Sequence, residues 1–196
     1  SGRNENSKVF YHLLGTTQDA DKLVFFDPKT PRIVPSVATS SDEQFLFLYK
    51  SKGTYGNALF FRDSWNKTEG WDIIVDDYKA EINIIDHYKG KFIAHTDRNA
   101  PYGRVVLIDP KNPGEEHWLT LLNGNKNEVL NSTTLVGGKL FAHFTRDVLS
   151  IWKVYAPNGD FLYKVDLPGK GIINGFNGHL TDKITWYSFS NFVTPT

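Results

Sequence analysis

Cysteine and methionine are both absent from this sequence of 196 residues. Without cysteine the chain has no disulfide bond, no cysteine ligand for zinc and no thiol nucleophile. No apolar run approaches the roughly 20 residues that a membrane-spanning helix needs. Lys plus Arg and Asp plus Glu both number 22, so the formal net charge is zero. Because bulk positive charge draws proteins onto nucleic acid and anionic membranes, we expect neither partner.

Familiar catalytic and cofactor motifs are also missing. The sequence has no G-x-S-x-G nucleophile elbow, no H-E-x-x-H zinc motif, no phosphate-binding P-loop and no EF-hand loop. Gly169-Lys170-Gly171 begins like a dinucleotide-binding turn, but Asn174 stands where a third glycine is required. We therefore expect no metal ion and no cofactor, and no residue of this chain is predicted to be catalytic.

Aromatic residues are abundant, with 14 Phe, 9 Tyr and 5 Trp. They lie in short runs with Val, Ile and Leu, and Gly, Asn, Asp and Pro separate the runs, which is typical of strands and turns. No segment of ten or more residues has the 3.6-residue apolar period of an amphipathic helix. The sequence therefore predicts an all-β chain. The predicted strands are 8–14, 22–26, 34–38, 45–50, 57–62, 71–75, 81–86, 91–96, 103–108, 117–122, 133–136, 139–145, 149–155, 160–165, 171–176 and 183–189.

The strand pattern repeats along the chain. The segments that begin at Phe92 and Leu140 both read x-x-Ala-His-x-x-Arg-x, at a spacing of about 48 residues. Weaker echoes lie at 45–53 and 184–191. Periods of roughly 40–50 residues with about four short strands each are typical of the blades of a β-propeller. We therefore predict propeller blades of four antiparallel strands.

The phase of the repeat predicts complete blades at 34–75, 81–122 and 133–165, and half-blades at 8–26 and 171–189. The whole chain, 1–196, would then be a propeller fragment of about four blade-equivalents. It would start at the third strand of one blade and stop after the second strand of another. Two arrangements fit this count, namely a small ring closed by pairing the half-blades and an arc of a larger ring.

Two histidines and two arginines occupy equivalent positions of the repeat. His95 and His143 would form a metal or catalytic pair only if they converged, and equivalent residues on successive blades are rotated about the axis. We favour the alternative that each fills the same packed, hydrogen-bonded position of its blade. Arg98 and Arg146 lie at strand ends, where each either caps a turn or lines a central channel, and we favour the structural role.

Seven stretches, in order along the chain, resemble the β-propeller of the prolyl oligopeptidase family of serine peptidases. They are 9–16, 41–49, 95–101, 112–118, 144–147, 173–178 and 187–195. The ordered set is more specific than any one stretch, such as the Thr-Asp-Arg-Asn-Ala-Pro run at 96–101. The loop at 53–59 is more similar to the bacterial branch of the family.

The resemblance implies that this chain takes part in peptide cleavage but does not carry the catalytic residues. Family members join an α/β-hydrolase domain, which carries a Ser, Asp and His triad, to a seven-bladed propeller. The propeller covers the active site and admits only short peptides, which are cleaved after proline. This chain would be a gating portion of that propeller, its partners being the parent hydrolase domain and a short proline-containing peptide. No residue here matches a triad motif, so the isolated chain is expected to be inactive.

The resemblance also indicates which residues face the active-site cavity. In the family, the loop between the second and third strands of the 34–75 blade faces that cavity, so Lys52 and Thr54 are predicted to do so here. Well-studied members carry Arg and Cys in this loop, whereas this chain has Ser51 and Thr54. Arg98 and Arg146 complete the set of predicted cavity-facing residues.

A second function fits the same architecture. A free-standing propeller that binds a peptide or protein partner would have no enzymatic role, and it would require a closed ring. The first residue is Ser1 and not methionine, which is typical of a processed or excised end. On either hypothesis we expect a soluble protein of the cytoplasm or the periplasm.

Overall fold

Antiparallel β-strands account for nearly all the regular structure in the computed structural model, which describes residues 5–64 and 70–191. In chain order the strands are β1 Val9–Tyr11, β2 Lys22–Phe25, β3 Val34–Thr39, β4 Phe45–Ser51, β5 Asn57–Asp63, β6 Asp72–Val75, β7 Ile82–Tyr88, β8 Lys91–Thr96, β9 Arg104–Ile108, β10 Leu119–Asn123, β11 Val129–Val136, β12 Lys139–Arg146, β13 Leu149–Tyr155, β14 Phe161–Lys164, β15 Ile172–Asn177 and β16 Trp186–Ser190. Within the described ranges, the other regular elements are 3₁₀ turns at Gln18–Ala20 and Glu115–His117. The predicted all-β class is confirmed.

The strand boundaries follow the sequence pattern with small differences. The largest is at β11, which begins at Val129 and not at residue 133. A bulge between Leu130 and Ser132 shifts the register of β11 against β12 and interrupts the alternation that a sequence pattern relies on. Residues 192–195, the end of the last stretch that resembles the family, lie outside the described residues. No helix in the described part of the chain is long and apolar enough to cross a membrane.

The strands form three four-stranded sheets and two two-stranded sheets. The larger sheets follow chain order, β3-β4-β5-β6, β7-β8-β9-β10 and β11-β12-β13-β14, and every pairing within them is antiparallel. Such a meander of four strands is the unit of a propeller blade, so this part of the prediction is also confirmed.

Among the described residues, the two-stranded sheets at either end of the chain do not pair with each other. Closure would need hydrogen bonds between the two-stranded sheets, so that β1, β2, β15 and β16 share one sheet. Among the described residues, β1 pairs with β2 and β15 pairs with β16, in two separate sheets.

The chain folds as two compact units, Ser1–Glu81 and Ile82–Thr196. The first unit contains β1–β2 and the sheet β3–β6. Its core includes three buried residues of the central strands, Leu48 in β4 and Ala58 and Phe60 in β5. A groove of about 1050 Å³ lies between the β1–β2 pair and the strands β3 to β5, and apolar side chains such as Phe10 and Leu23 line part of it.

In the second unit the sheets stack through two apolar clusters. One cluster joins the sheet β7–β10 to the sheet β11–β14 through residues such as Ile93 and Leu140, which have no exposed surface. The other joins β11–β14 to β15–β16, where the rings of Phe141 and Phe176 stack with their centroids 4.6 Å apart. The first strand β11 contacts the first strands β7 and β15. Strand β13 also contacts β15.

A backbone hydrogen bond also joins the first two sheets of this unit. The amide of Leu130, in β11, donates to the carbonyl of Tyr102 at 2.9 Å. Beside it, the amide of Gly124 donates to the carbonyl of Gly103 at 2.8 Å and extends the pairing of β9 with β10. The approach is so close that a Cβ on Gly124 would lie 1.9 Å from the Tyr102 carbonyl oxygen. We call this set of contacts the seam. It fixes the loop between β8 and β9 against the start of β11.

Candidate functional site

All four residues predicted to face the cavity lie at one type of loop. This is the connection between the second and third strands of a sheet, formed by residues 52–56 after β4, 97–103 after β8 and 147–148 after β12. In an antiparallel meander this connection always lies at the same end of its sheet. Lys52 and Thr54 belong to the first loop and Arg98 to the second, and Arg146 is the last residue of β12.

Lys52 and Thr54 are exposed to solvent on a loop whose base is tightly packed. A Cβ on Gly56 would lie 2.1 Å from the carbonyl oxygen of Tyr78, so only glycine fits at position 56. The ammonium of Lys52 lies over the Tyr78 ring, 4.2 Å from its centroid. Burial, followed by the charges of Asp76 and Asp27, raises the pKa of the Tyr78 hydroxyl, so this ring stays neutral under Lys52.

Lys52 also lines a shallow pocket of about 350 Å³ with residues 30–33. The neighbouring Arg32 is 87% exposed and lies 3.4 Å from a carboxylate oxygen of Glu5. The Thr30 hydroxyl donates to Asp27 at 2.5 Å, and this bond is the main reason that the pKa of Asp27 is lowered. The pocket is thus lined by two cationic side chains, Lys52 and Arg32, and Asp27 lies next to it in the chain without lining it.

Arg98 is held by a carboxylate and is 19% exposed. Its Nε donates to Glu115 Oε2 at 2.5 Å, and Asn99 Nδ2 donates to the other carboxylate oxygen at 2.6 Å. Arg104 Nη2 lies 3.5 Å from the same carboxylate. Burial acts to raise the pKa of Glu115, but the hydrogen bonds from Arg98 and Asn99 and the two arginine charges hold this pKa below its ordinary value. The charge of Arg98 is thus compensated inside the chain.

Arg146 is held in the same way by a different acid. Its guanidinium donates to Glu128 Oε1, and Lys153 Nζ lies 2.6 Å from Glu128 Oε2. The Glu128 side chain is 9% exposed. The hydrogen bond from Lys153 is the largest cause that lowers the pKa of Glu128, and it outweighs burial, which acts to raise this pKa. Arg146 itself is 53% exposed, so one side of its guanidinium still faces solvent.

The two repeated histidines do not converge. His95 Nε2 lies 3.3 Å from the carbonyl oxygen of Leu130 and so contributes to the seam. His143 stacks on Trp152, with ring centroids 4.9 Å apart, and its Nε2 lies 3.1 Å from Ser150 Oγ. Burial lowers the pKa of His143. Each histidine is hydrogen-bonded, as the favoured alternative expects, but the two have different partners although they are equivalent in the repeat.

Sequence reasoning missed the two acids that organise these loop ends. Glu115 is followed by a second acid, Glu116, and it lies in the connection between β9 and β10. Glu128 lies in the connection between β10 and β11. The two acids therefore come from different kinds of connection, although their arginine partners are equivalent in the repeat. No repeat signal could have found them.

The sequence family of the chain follows from comparison with known proteins. The family described as "Prolyl oligopeptidase, N-terminal beta-propeller domain" matches residues 1–196. The chain belongs to the prolyl oligopeptidase family. It corresponds to the propeller domain of that family, and the G-x-S-x-G motif of the catalytic serine is absent from the sequence.

Two curated relatives match the chain over its full length. The prolyl endopeptidase of Elizabethkingia miricola is 34% identical over 196 residues, which are 100% of this chain and 27% of the relative. The prolyl endopeptidase of Elizabethkingia meningoseptica is 33% identical over 195 residues, with the same shares covered. The chain thus spans about a quarter of the length of these prolyl oligopeptidase relatives.

Solved structures of the family share the fold of the chain. One prolyl endopeptidase, described in terms of the role of inter-domain dynamics in catalysis and specificity, has a TM-score of 0.90 and 27% identity and covers 99% of this chain and 28% of its own. Prolyl oligopeptidase B from Galerina marginata, bound to a 35mer hydrolysis and macrocyclization substrate, has a TM-score of 0.89 and 25% identity, with 98% and 28% covered. In both cases the match covers 28% of the longer solved chain.

Proposed function

We propose that this chain is the gating portion of the propeller of a serine endopeptidase that cleaves short peptides after proline. The observation that carries the proposal is the match of all 196 residues to the propeller domain of the prolyl oligopeptidases. The nucleophile, base and acid would belong to an α/β-hydrolase domain in the same protein. The contribution of this chain is selection by access, and alone it is inactive.

Gating of this kind needs loops that do not move easily, and the contacts at these loop ends restrict their movement. The charges of Arg98 and Arg146 are tied to carboxylates inside the chain, and the seam holds the loop after β8 by backbone hydrogen bonds. A long or folded polypeptide cannot push such loops aside without breaking several of these contacts. Exclusion by size then follows from the stability of the propeller.

The exposed residues of the first loop are suited to contact the peptide that is admitted. Lys52 and Thr54 are both exposed, and no carboxylate of the described residues forms an ion pair with Lys52. An ammonium and a hydroxyl can bind peptide carbonyl groups or a carboxylate. We propose that these two residues face the active-site cavity, and that Arg98 and Arg146 support the loop ends beside it.

The proposal is tested with a chimeric enzyme. In the Elizabethkingia miricola prolyl endopeptidase, the segment that matches this chain is replaced by residues 1–196, and cleavage of a short proline-containing chromogenic peptide is compared with cleavage of a long unfolded polypeptide. We expect the chimera to cleave the short peptide and to exclude the long one. The purified chain alone should show no turnover. Turnover by the chain alone, or a chimera that cleaves both substrates equally, contradicts the proposal.

A free-standing propeller that binds a peptide or protein partner is the second candidate. The parent open reading frame beyond Thr196 distinguishes the two candidates. A further blade followed by G-x-S-x-G supports the peptidase, and a stop codon supports the binder.

A further inference from the structure

Four Asn-Gly pairs occur along the chain, at 123–124, 158–159, 174–175 and 177–178. In such a pair the asparagine side chain is open to attack by the next backbone nitrogen, because glycine has no side chain to shield its own amide. The attack requires that this nitrogen is not held by another bond and that the asparagine amide group can turn toward it. The structure therefore decides which of the four pairs can react in the folded chain.

Two of the pairs are held by hydrogen bonds. The Gly159 amide donates to the carbonyl of Ala156 at 2.9 Å. The preceding side chain, Asn158, is bonded to Asp160 at both of its polar atoms. In the pair at 123–124, the Gly124 amide is bonded at 2.8 Å within the seam. Reaction at either pair first needs local opening of these contacts.

The third pair, at 174–175, lies inside β15 beside a buried side chain. Gly175 is followed by Phe176, which is 3% exposed. The Phe176 ring stacks on Phe141 with centroids 4.6 Å apart, and it meets the Trp152 ring edge-on at 4.9 Å. These contacts hold the backbone on the far side of Gly175, so its amide has little freedom to approach the Asn174 side chain.

The fourth pair, Asn177-Gly178, has neither kind of restraint. Both residues are exposed, and Gly178 comes directly after the end of β15. Within the described residues, neither the Gly178 amide nor the Asn177 side chain forms a hydrogen bond. The Thr185 hydroxyl donates to the Asn177 carbonyl oxygen at 2.9 Å. This carbonyl belongs to the same peptide as the Gly178 amide, so the bond polarises that peptide and makes the amide proton easier to remove.

We propose that Asn177 is a site of spontaneous modification in the folded protein, where it deamidates through a cyclic imide formed with Gly178. The Gly178 nitrogen attacks Cγ of Asn177, and a new C–N bond forms. The bond from Cγ to Nδ2 breaks, and Nδ2 leaves as ammonia with the proton of the Gly178 amide. Water then opens the imide at one of its two carbonyl groups, which gives aspartate or isoaspartate at position 177.

The product disturbs the last sheet. Isoaspartate adds one methylene to the backbone between Phe176 and Gly178, at the residue of β15 that pairs with Trp186. The longer backbone cannot keep both this pairing and the packing of Phe176. Either product also adds a negative charge near the carboxylate of Asp182, which accepts a hydrogen bond at 2.8 Å from the amide that follows Gly178. Modification at Asn177 should therefore weaken the attachment of β15 and β16 to the neighbouring sheet.

The test follows all four asparagines by tandem mass spectrometry while the chain is kept at pH 8 and 37 °C. Labelling with protein isoaspartyl methyltransferase identifies the isoaspartate product. The same measurement in guanidinium chloride gives the rate of each pair without structure. In the folded chain, Asn177 should react within about threefold of its unfolded rate, whereas the other three asparagines should slow by about tenfold or more.

Two matched variants separate this site from general ageing. Asn177→Gln keeps an amide but lengthens the side chain, which disfavours ring closure, so the fast conversion should be lost. The Tm of aged wild type should lie below that of fresh wild type, and Asn177→Gln should abolish this fall whereas Asn158→Gln should not. Gly178 is left unchanged, because a Cβ there would lie 2.9 Å from Asp182 Oδ2. Thr185→Val removes the donor to the Asn177 carbonyl and should slow conversion at Asn177 by about threefold.

Each contrary outcome overturns a defined part of the argument. If Asn123, Asn158 or Asn174 reacts faster than Asn177 in the folded chain, the inference is wrong. It is equally wrong if folding slows Asn177 as much as it slows the other three. An unchanged Tm after complete conversion refutes the effect on the last sheet. Faster conversion in Thr185→Val shows that this hydroxyl restrains the peptide and does not activate it.

Discussion

Substitution of Gly124 by alanine tests whether the seam holds the sheets of the second unit together. A Cβ at this position would lie 1.9 Å from the carbonyl oxygen of Tyr102 and 2.8 Å from the amide nitrogen of Leu130. Both are backbone atoms, so neither can rotate away. To admit the methyl group, the chain at position 124 and the loop after β8 have to move apart, which breaks the Gly124–Gly103 hydrogen bond and displaces Tyr102 from Leu130.

The size of the effect follows from these two bonds. A buried backbone group that loses its partner costs about 1–3 kcal/mol. With partial relaxation of the loop, Gly124→Ala should lower the free energy of unfolding by about 2–4 kcal/mol. The measurement is urea unfolding followed by tryptophan fluorescence, with linear extrapolation to water.

Gly169→Ala is the matched control for this prediction. Gly169 belongs to the same unit and does not require a positive φ, and a Cβ added to it would meet no atom within 4 Å. Its replacement should change stability by no more than about 1 kcal/mol. If Gly124→Ala proves as mild as Gly169→Ala, the close approach at the seam is wrong and the loop after β8 is not fixed as described.

Three further predictions concern charged and titrating groups. Glu128→Gln should cost about 1–3 kcal/mol at pH 7, because Arg146 and Lys153 lose their shared partner. The pKa of Glu128 is lowered in the folded state, so its contribution to stability is complete above the ordinary pKa and is lost as the pH falls through the folded pKa. Thermal unfolding at pH 7 and pH 3 should therefore show that the Tm difference between Glu128→Gln and wild type shrinks in acid. Burial lowers the pKa of His143 from 6.5, so the stability that its neutral form contributes is lost as the pH falls. Between pH 7.5 and 5, the Tm of wild type should therefore fall more than the Tm of His143→Gln. An equal fall in both proteins contradicts this. In the chimera, Lys52→Gln should raise KM for the short peptide by up to about fivefold, as expected for an exposed charge, while Lys111→Gln, on a connection of the other type, should not.

The sequence predicted the strands well because strand patterns are local. Alternating apolar residues between turn residues located every strand, and the β11 boundary was missed only where the bulge after Leu130 breaks the alternation. The repeat then gave the four-stranded sheets. Ring closure depends on hydrogen bonds between distant strands, and no local pattern carries that information.

The candidate site was predicted less completely, for the same reason. Arg98 and Arg146 stand out in the repeat, yet their acid partners lie 17 and 18 residues away along the chain. The turn between β12 and β13 shows the same limit, because its residues predict a turn but not the positive φ values of Asp147 and Val148, which follow the pairing of Arg146 with Leu149. The placement of Lys52 and Thr54 toward a cavity stays a prediction.

The groove beside β1 has a practical consequence for work with the isolated chain. Its walls include the exposed Phe10 and Leu23, and the backbone of β1 on the side away from β2 pairs with no other described strand. Such an edge is a template on which a strand of any neighbouring molecule can add. We therefore expect the isolated chain to self-associate along this edge at high concentration.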